Sequence, residues 1–129
     1  MNLFSIEIIL YVADQKRSRD FYSALLQKAP ALDVPGMTEF ILGNNLKLGL
    51  MPEKGIAKIL AGKMPHQQSG NGIPRAELYL VSDETEEALQ RALTNGATEI
   101  SPAEDRDWGD RVAYVADLDG HIIAFARPL

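Results

Sequence analysis

The sequence predicts an α+β fold made of two βαβββ modules, each with a concave mixed or antiparallel sheet and its helix outside. The first observation is that a strand, an acidic capping residue and an amphipathic helix follow one another twice, beginning near residues 5 and 76. The second is that aligning Glu7 with Glu77 superimposes the two halves at an offset of 70 residues. A repeat this long with mixed elements indicates a duplicated module and not a solenoid.

The first module begins with residues 5–12, which are rich in β-branched and aromatic side chains and predict a strand. Asp14 follows as the expected N-cap of a helix over residues 15–29, and Pro30 ends that helix. Residues 37–42 and 46–51 predict two strands of a hairpin around the turn at 43–45. The apolar helix face predicted to pack on the sheet comprises Phe21, Tyr22, Leu25, Leu26 and Ala29.

The second module repeats this order from a strand over residues 76–81. Asp83 is the predicted N-cap of the helix, and Asn95-Gly96 is the predicted end. A strand over residues 97–100 and a hairpin of residues 111–116 and 121–126 complete the module. The hairpin residues 117–120 resemble the start of a calcium loop, but Pro128 stands where an EF-hand has its Glu, so a plain turn is predicted.

The 129 residues predict a single domain, with module one at about 1–52, a linker at 53–74 and module two at about 75–129. The linker is expected to contain a short helix near residues 56–60. Neither module closes its own sheet, so the open edges must be covered by the other module or by a second subunit. A homodimer is expected, and the sequence leaves open whether modules pair within one chain or across the dimer.

Composition excludes several classes of function. The chain has no Cys, which excludes disulfides, a thiolate nucleophile and Cys-ligated metals. Its formal net charge of −5 argues against nucleic acid as a partner. The apolar run at residues 8–13 is too short to span a membrane, and no Lys or Arg precedes it, so a cytoplasmic protein is expected.

Glu7 and Glu77 are the main candidates for chemistry, because a carboxylate inside an apolar strand is costly unless it is paired or faces a cavity. Strand alternation places Ile9 and Tyr11 on the face of Glu7, and Tyr79 on the face of Glu77. One interpretation is that these glutamates lie at wet strand ends. The other is a shared cavity in which they ligate a hard cation, share a proton or hold a cationic ligand.

Trp108 allows two interpretations, either a plug of the core or an aromatic wall for a planar or cationic ligand. The charged residues around it are predicted to form a solvated loop: Arg106, Asp107, Asp110 and Arg111.

Residues 7–14, with Ser18 and Phe21-Tyr22, resemble the opening of the vicinal oxygen chelate superfamily, and residues 108–121 resemble its C-terminal hairpin. This superfamily includes glyoxalase I, extradiol dioxygenases, and the fosfomycin- and bleomycin-resistance proteins. The resemblance covers nearly the whole chain and implies paired βαβββ modules, usually in a dimer.

The resemblance also implies where metal ligands would lie. The first-strand ligand positions fall on Glu7 and Glu77, and the last-strand positions fall on Gly49 and Ala124, which have no ligand atoms. Two carboxylates alone would hold Mg²⁺ or Mn²⁺ weakly, with water completing the shell. The implied cofactor is therefore none, or a weakly bound divalent ion.

Two functions follow from these residues. The first is a metal-independent small-molecule binder, similar to the bleomycin-resistance branch, with a cup formed by Glu7, Glu77 and the side chains of Ile9, Tyr11, Tyr79 and Trp108. The second is a lyase or isomerase similar to lactoylglutathione lyase, in which Glu7 or Glu77 is the general base, with or without a divalent ion. No cation is evident among the predicted cup residues, which disfavours anionic glutathione adducts. A dimeric scaffold with a silent site is the third alternative.

Overall fold

A computed structural model describes residues 1–129, and it divides the chain into two compact units. Residues 1–23 and 27–71 form the first unit, and residues 24–26 and 72–129 form the second. Each unit contains one four-stranded sheet in which the first strand lies at one edge, next to the last strand. The predicted α+β class with two βαβββ sheets is confirmed.

The first sheet has the strand order β1-β4-β3-β2. Its elements are β1 (Ile6–Val12), α1 (Gln15–Leu26), β2 (Leu32–Val34), β3 (Met37–Gly43), β4 (Leu46–Pro52), α2 (Glu53–Leu60) and a 3₁₀ helix (Gln67–Gly70). The β1–β4 pair is parallel, and the other pairs are antiparallel. The short helix expected after the first module is thus present as α2.

Helix α1 begins and ends for local reasons. The Asp14 side chain accepts a hydrogen bond of 3.0 Å from the backbone N–H of Arg17, as its predicted capping role requires. The helix ends earlier than predicted, because Gln27 adopts a left-handed φ of 54° and its N–H bonds back to Ser23. The buried side chains of the first unit lie on α1, on α2 and on the strand faces opposite Glu7: Val12, Phe21, Tyr22, Phe40, Leu48, Leu50 and Ile56.

The second sheet has the order β5-β8-β7-β6, with β5 parallel to β8. Its elements are β5 (Glu77–Val81), α3 (Thr85–Thr94), β6 (Thr98–Asp105), β7 (Asp110–Ala116) and β8 (Ile122–Pro128). The prediction that Asp83 caps α3 is wrong, since the N-cap is Glu84, which makes no side-chain capping bond. In the turn before the helix, Ser82 Oγ accepts the N–H of Glu84 at 3.0 Å.

The turn between β7 and β8 forms as predicted. Asp117 Oδ1 accepts the backbone N–H groups of Asp119 and His121 at 2.9 and 2.8 Å. Gly120 has a φ of +89°, a conformation that other residues adopt only under strain. None of the helices is long and apolar enough to cross a membrane.

Candidate ligand-binding faces

The first candidate surface is the face of the first sheet that carries Glu7, called here the Glu7 face. The pairing register places Glu7 beside Lys47, and Ile9 beside Gly49. Gly49 in turn pairs with Glu39 on β3. Because neighbours in register share a face, the predicted site residues Glu7, Ile9 and Tyr11 lie on one surface with Glu39 and Lys47. On the opposite face Val12, Leu48 and Leu50 are buried, whereas Ile8 is 39% exposed.

The carboxyl group of Glu7 lies over Gly49. A Cβ atom built on Gly49 would be 2.6 Å from Glu7 Oε1, 3.1 Å from Ile9 Cγ1 and 3.3 Å from Met37 Sδ. No side chain fits at Gly49 while Glu7 keeps this position, since carbon and oxygen atoms do not approach so closely. The absent side chain of Gly49 is therefore what allows Glu7 to fold back onto the sheet.

Glu39 is the carboxyl partner of Glu7. Partial burial raises the pKa of Glu7, and a hydrogen bond to Glu39 and the charge of Glu39 raise it further, while Lys47 lowers it. Lys47 Nζ lies 3.5 Å from Glu39 Oε1, so it is the nearby counter-ion of the pair. Glu39 is thus close enough to favour the protonated form of Glu7.

These residues do not fit a four-ligand metal site. Gly49 offers no side-chain ligand atom, and the space beside it is filled by Glu7 Oε1. Ala124 occupies the matching position on β8, opposite Tyr79, and is fully buried. Neither of these two positions therefore provides a side-chain ligand atom.

The second candidate surface is the face of the second sheet that carries Tyr79, called here the Tyr79 face. In register, Tyr79 pairs with Ala124, and Ala124 pairs with Tyr114. Tyr79 and Tyr114 pack against a buried cluster of Val112, Ala124 and Ala126. Glu77 lies two residues before Tyr79 on the same face and is exposed.

The structure brings together the side chains of Trp108 and Tyr79, two of the predicted site residues. The Trp108 indole Nε1 donates to the Tyr79 hydroxyl at 2.8 Å, and that hydroxyl donates to Asp110 Oδ2 at 2.6 Å. Burial and the Asp110 hydrogen bond raise the pKa of Tyr79, while the Trp108 bond lowers it. Trp108 is 59% exposed, which excludes its interpretation as a core plug.

Arg106 corrects the prediction of a solvated charged loop. Its guanidinium lies over the ring of Tyr114, with Cζ 5.2 Å from the ring centroid. Nη2 donates to Ser101 Oγ and to the Val112 carbonyl, both at 2.9 Å, and Nη1 pairs with Glu104 at 3.3 Å. The arginine side chain is only 19% exposed, so it is a structural cation of this sheet.

A third group of possible ligands lies in the β7–β8 turn. Side-chain ligand atoms of Asp117, Asp119 and His121 all lie within 4.8 Å of one another. Asp117 Oδ1 already accepts two backbone N–H groups, and these bonds explain why a buried carboxylate stands there. We therefore assign Asp117 to the turn.

Sequence reasoning missed Glu39, Lys47 and Asp110. Glu39 carried the same signal as Glu7, an acidic residue inside an apolar strand, over residues 37–42. Lys47 alternates with apolar residues in its own strand. Asp110 carried no local signal, because its role depends on Tyr79, which lies 31 residues earlier.

Comparison with known proteins agrees with this architecture. The family described as the glyoxalase-like domain matches residues 5–129. An uncharacterised protein of Mycobacterium bovis is 29% identical over 123 residues, which cover 93% of this chain and 80% of that protein. An uncharacterised protein of Mycobacterium tuberculosis is also 29% identical over 123 residues, covering 93% of this chain and 72% of its own length.

Solved structures show the same fold. A glyoxalase-related enzyme from Fulvimarina pelagi has a TM-score of 0.81 at 21% identity, covering 98% of this chain and 88% of that one. A glyoxalase/bleomycin resistance protein/dioxygenase family enzyme from Burkholderia phytofirmans has a TM-score of 0.79 at 14% identity, covering 95% and 97%. The chain belongs to the glyoxalase-like family, within the vicinal oxygen chelate superfamily.

Proposed function

We propose that this chain is a small-molecule-binding protein that acts without the four-ligand metal site of its superfamily. The residues proposed to bind ligand are Glu7, Ile9 and Tyr11 on the Glu7 face, and Glu77, Tyr79 and Trp108 on the Tyr79 face. The observation that carries the proposal is the position of Glu7, whose carboxyl group occupies the space left by Gly49. A glutamate so engaged is arranged to bind a hydrogen-bond donor or a cation.

The charge of the two faces supports a cationic or planar ligand. Glu7, Glu39 and Glu77 are acidic, and Lys47 is the basic residue set against them on the Glu7 face. The other cation near these aromatic rings, Arg106, is paired with Glu104. Carboxylates beside exposed aromatic rings favour cations through charge and cation–π attraction.

The first experiment measures the metal content of the untagged protein by mass spectrometry, followed by thermal unfolding with Mg²⁺, Mn²⁺, Ni²⁺ and Zn²⁺. We expect well under one ion per chain and no saturable rise in Tm. About one ion per chain, with a stabilisation lost in both Glu7→Gln and Glu77→Gln, would contradict the proposal.

The second experiment screens cationic aromatic compounds by their effect on Tm. We expect at least one compound to stabilise the parent protein and to bind more weakly to Glu7→Gln and Glu77→Gln. Glu99→Gln is the matched control, because Glu99 is exposed on β6, outside both faces, opposite Val115. Equal binding by Glu77→Gln, Glu99→Gln and the parent would refute a role for Glu77.

A lyase or isomerase is the second candidate function, favoured by the closeness of Glu39, which raises the pKa of Glu7. A carboxyl group with a raised pKa is suited to remove and return a proton next to a carbonyl group. This candidate predicts turnover of a dicarbonyl–thiol adduct that Glu7→Gln abolishes, and a pH–rate profile set by a carboxyl group. Binding without turnover, unaffected by added Mg²⁺ or Mn²⁺, would exclude the lyase or isomerase and leave small-molecule binding as the proposed function.

A homodimer and a cytoplasmic location are also proposed. The edge strands β1 and β5 have one paired neighbour each, so their free sides are suited to a further strand or subunit. Sedimentation of the untagged protein tests the dimer, and a monomer at micromolar concentration would refute it.

A further inference from the structure

The indole ring of Trp108 is both exposed and fixed. More than half of the residue is open to solvent, yet its one polar hydrogen is bonded to the Tyr79 hydroxyl. An exposed tryptophan in a turn gains no burial from being fixed in this way. The arrangement instead leaves one flat aromatic surface held in a defined orientation.

Asp110 determines the direction of these hydrogen bonds. The Tyr79 hydroxyl has one proton, and it donates that proton to Asp110 Oδ2 at 2.6 Å. Its oxygen lone pairs are then free to accept the Trp108 N–H at 2.8 Å. The Tyr79 hydroxyl proton and the Trp108 indole proton thus have one acceptor each. Asp110 orients Tyr79, and Tyr79 in turn orients Trp108.

The base of this series is rigid, because Tyr79 packs on the buried cluster of Val112, Ala124 and Ala126. Fixing a binding ring in advance reduces the entropy that a ligand must otherwise remove. The surroundings are acidic, since Glu77 and Asp110 lie on this face and Arg106 is paired with Glu104. An electron-rich ring beside carboxylates attracts planar cations.

We propose that Trp108 is a preset stacking platform for a planar aromatic cation, and that Asp110 is a positioning residue acting on it through Tyr79. This inference rests on the proposed small-molecule binding and adds the ring that stacks on the ligand and the residues that position that ring. It assigns Asp110 to the platform and leaves direct ligand contact to Trp108.

The positioning is tested without any ligand, because Trp108 is the only tryptophan in the chain. Tyr79→Phe removes the acceptor of the indole N–H, so acrylamide quenching of Trp108 fluorescence should rise about twofold and its anisotropy should fall. Asp110→Asn retains an acceptor for the Tyr79 hydroxyl and should behave like the parent, whereas Asp110→Ala should resemble Tyr79→Phe. Tyr114→Phe is the matched control and should leave Trp108 fluorescence unchanged.

The ligand class is tested with proflavine as a planar cation, 8-anilinonaphthalene-1-sulfonate as an anionic aromatic compound and tetramethylammonium as a non-planar cation. We expect proflavine alone to quench Trp108 saturably. Proflavine anisotropy should report binding weakened about threefold to tenfold in Tyr79→Phe and at least as much in Trp108→Ala. Thermal unfolding followed by circular dichroism checks that each variant is folded. If Tyr79→Phe does not fold, the comparison of Asp110→Asn with Asp110→Ala tests the same positioning role.

The outcomes separate this inference from the proposed function. Unchanged quenching and unchanged proflavine binding in both Tyr79→Phe and Asp110→Ala would overturn the positioning role while small-molecule binding stands. Preference for the anionic probe, or binding insensitive to Trp108→Ala, would overturn the platform. If compounds bind in a way that depends on Glu7 but never on Trp108, the proposed function survives and this inference fails.

Discussion

The carboxyl group of Glu7 occupies the place where a side chain at Gly49 would begin, with Oε1 2.6 Å from the position of a Cβ atom. In the parallel register Gly49 lies opposite Ile9, two residues beyond Glu7, so the Glu7 side chain must lean along its strand to reach it. The space beside Gly49 is thereby occupied by a carboxyl group from the neighbouring strand.

Gly49→Ala should displace Glu7 with little loss of stability. The methyl group meets Glu7 Oε1, the mobile end of a flexible side chain, so Glu7 moves while the backbone remains. We expect the free energy of unfolding to change by about 1 kcal/mol or less. The pKa of Glu7, followed by NMR of its carboxyl carbon, should fall because contact with Glu39 is lost. An unchanged Glu7 pKa would show that the close approach has no electrostatic consequence.

Glu39→Gln and Lys47→Met should shift the Glu7 pKa in opposite directions. Glu39 raises it through a hydrogen bond and charge, so Glu39→Gln should lower it. Lys47 lowers it through its charge, so Lys47→Met should raise it. The same NMR titration measures both variants. Shifts of the same sign would contradict the arrangement described here.

The raised pKa of Glu7 also predicts how stability depends on pH. The folded state binds the proton more tightly than the unfolded state, whose Glu7 titrates near the ordinary value of 4.5. The stabilisation from the protonated form is therefore complete below that pH and is lost as pH rises through the folded-state pKa. Urea unfolding between pH 4 and 7 should show this loss, and Glu7→Gln should reduce it. A slope that is identical in parent and variant would refute the assignment.

Most of the fold was predictable because its signals are local. The Asp14 cap, the β1 strand and the 117–120 turn each depend on residues close in sequence, and all are present. Asp83 failed as a cap because the helix begins one residue later, with Glu84 as its N-cap, and residue type alone does not fix that boundary. The α1 end was overestimated because apolar periodicity continues beyond the last hydrogen-bonded turn.

The candidate site was predictable only in part, because its contacts join distant strands. Glu7 was found from its apolar surroundings, but its partner Glu39 depends on the strand order, in which β4 separates β1 from β3. Arg106 and Asp110 looked like solvated charges and proved to be engaged with Tyr114 and Tyr79. The local sequence around a charged loop residue does not indicate which aromatic ring that residue will contact.

Thr38→Val should destabilise the first unit. Thr38 is fully buried, donates to Asp33 Oδ1 at 2.8 Å and accepts from Gln15 Nε2 at 2.9 Å. Valine has the same shape but leaves both partners without this hydroxyl, at a cost of about 1–3 kcal/mol. Urea unfolding measures the loss. Thr98→Val, on an exposed strand residue, is the matched control and should change stability by less than about 0.5 kcal/mol.

Thr38→Val should also change how the free energy of unfolding depends on pH in the acidic range. Hydrogen bonds from Thr38 and then Arg19 lower the pKa of Asp33 below its ordinary value of 3.8. That carboxylate stabilises the fold above this pH, and the stabilisation is lost as pH falls through the lowered folded-state pKa. Without the Thr38 hydroxyl the pKa of Asp33 should rise, so the loss on acidification should become smaller. An Asp33 carboxyl titration that is the same in both proteins would contradict this.

Asp117→Ala should destabilise the β7–β8 turn, because it removes the acceptor of two backbone N–H groups in a residue that is 6% exposed. Leaving those N–H groups unpaired should cost about 1–3 kcal/mol, measured by urea unfolding. Asp117→Asn keeps an acceptor oxygen and should cost less than half as much.

The comparison of these variants also decides between a turn and a cation site, since Asp119 and His121 lie close by. If Asp117 serves the turn, added Ca²⁺ or Ni²⁺ leaves the Tm of the parent unchanged. A saturable rise in Tm that disappears in Asp117→Asn would instead assign this carboxylate to a bound ion.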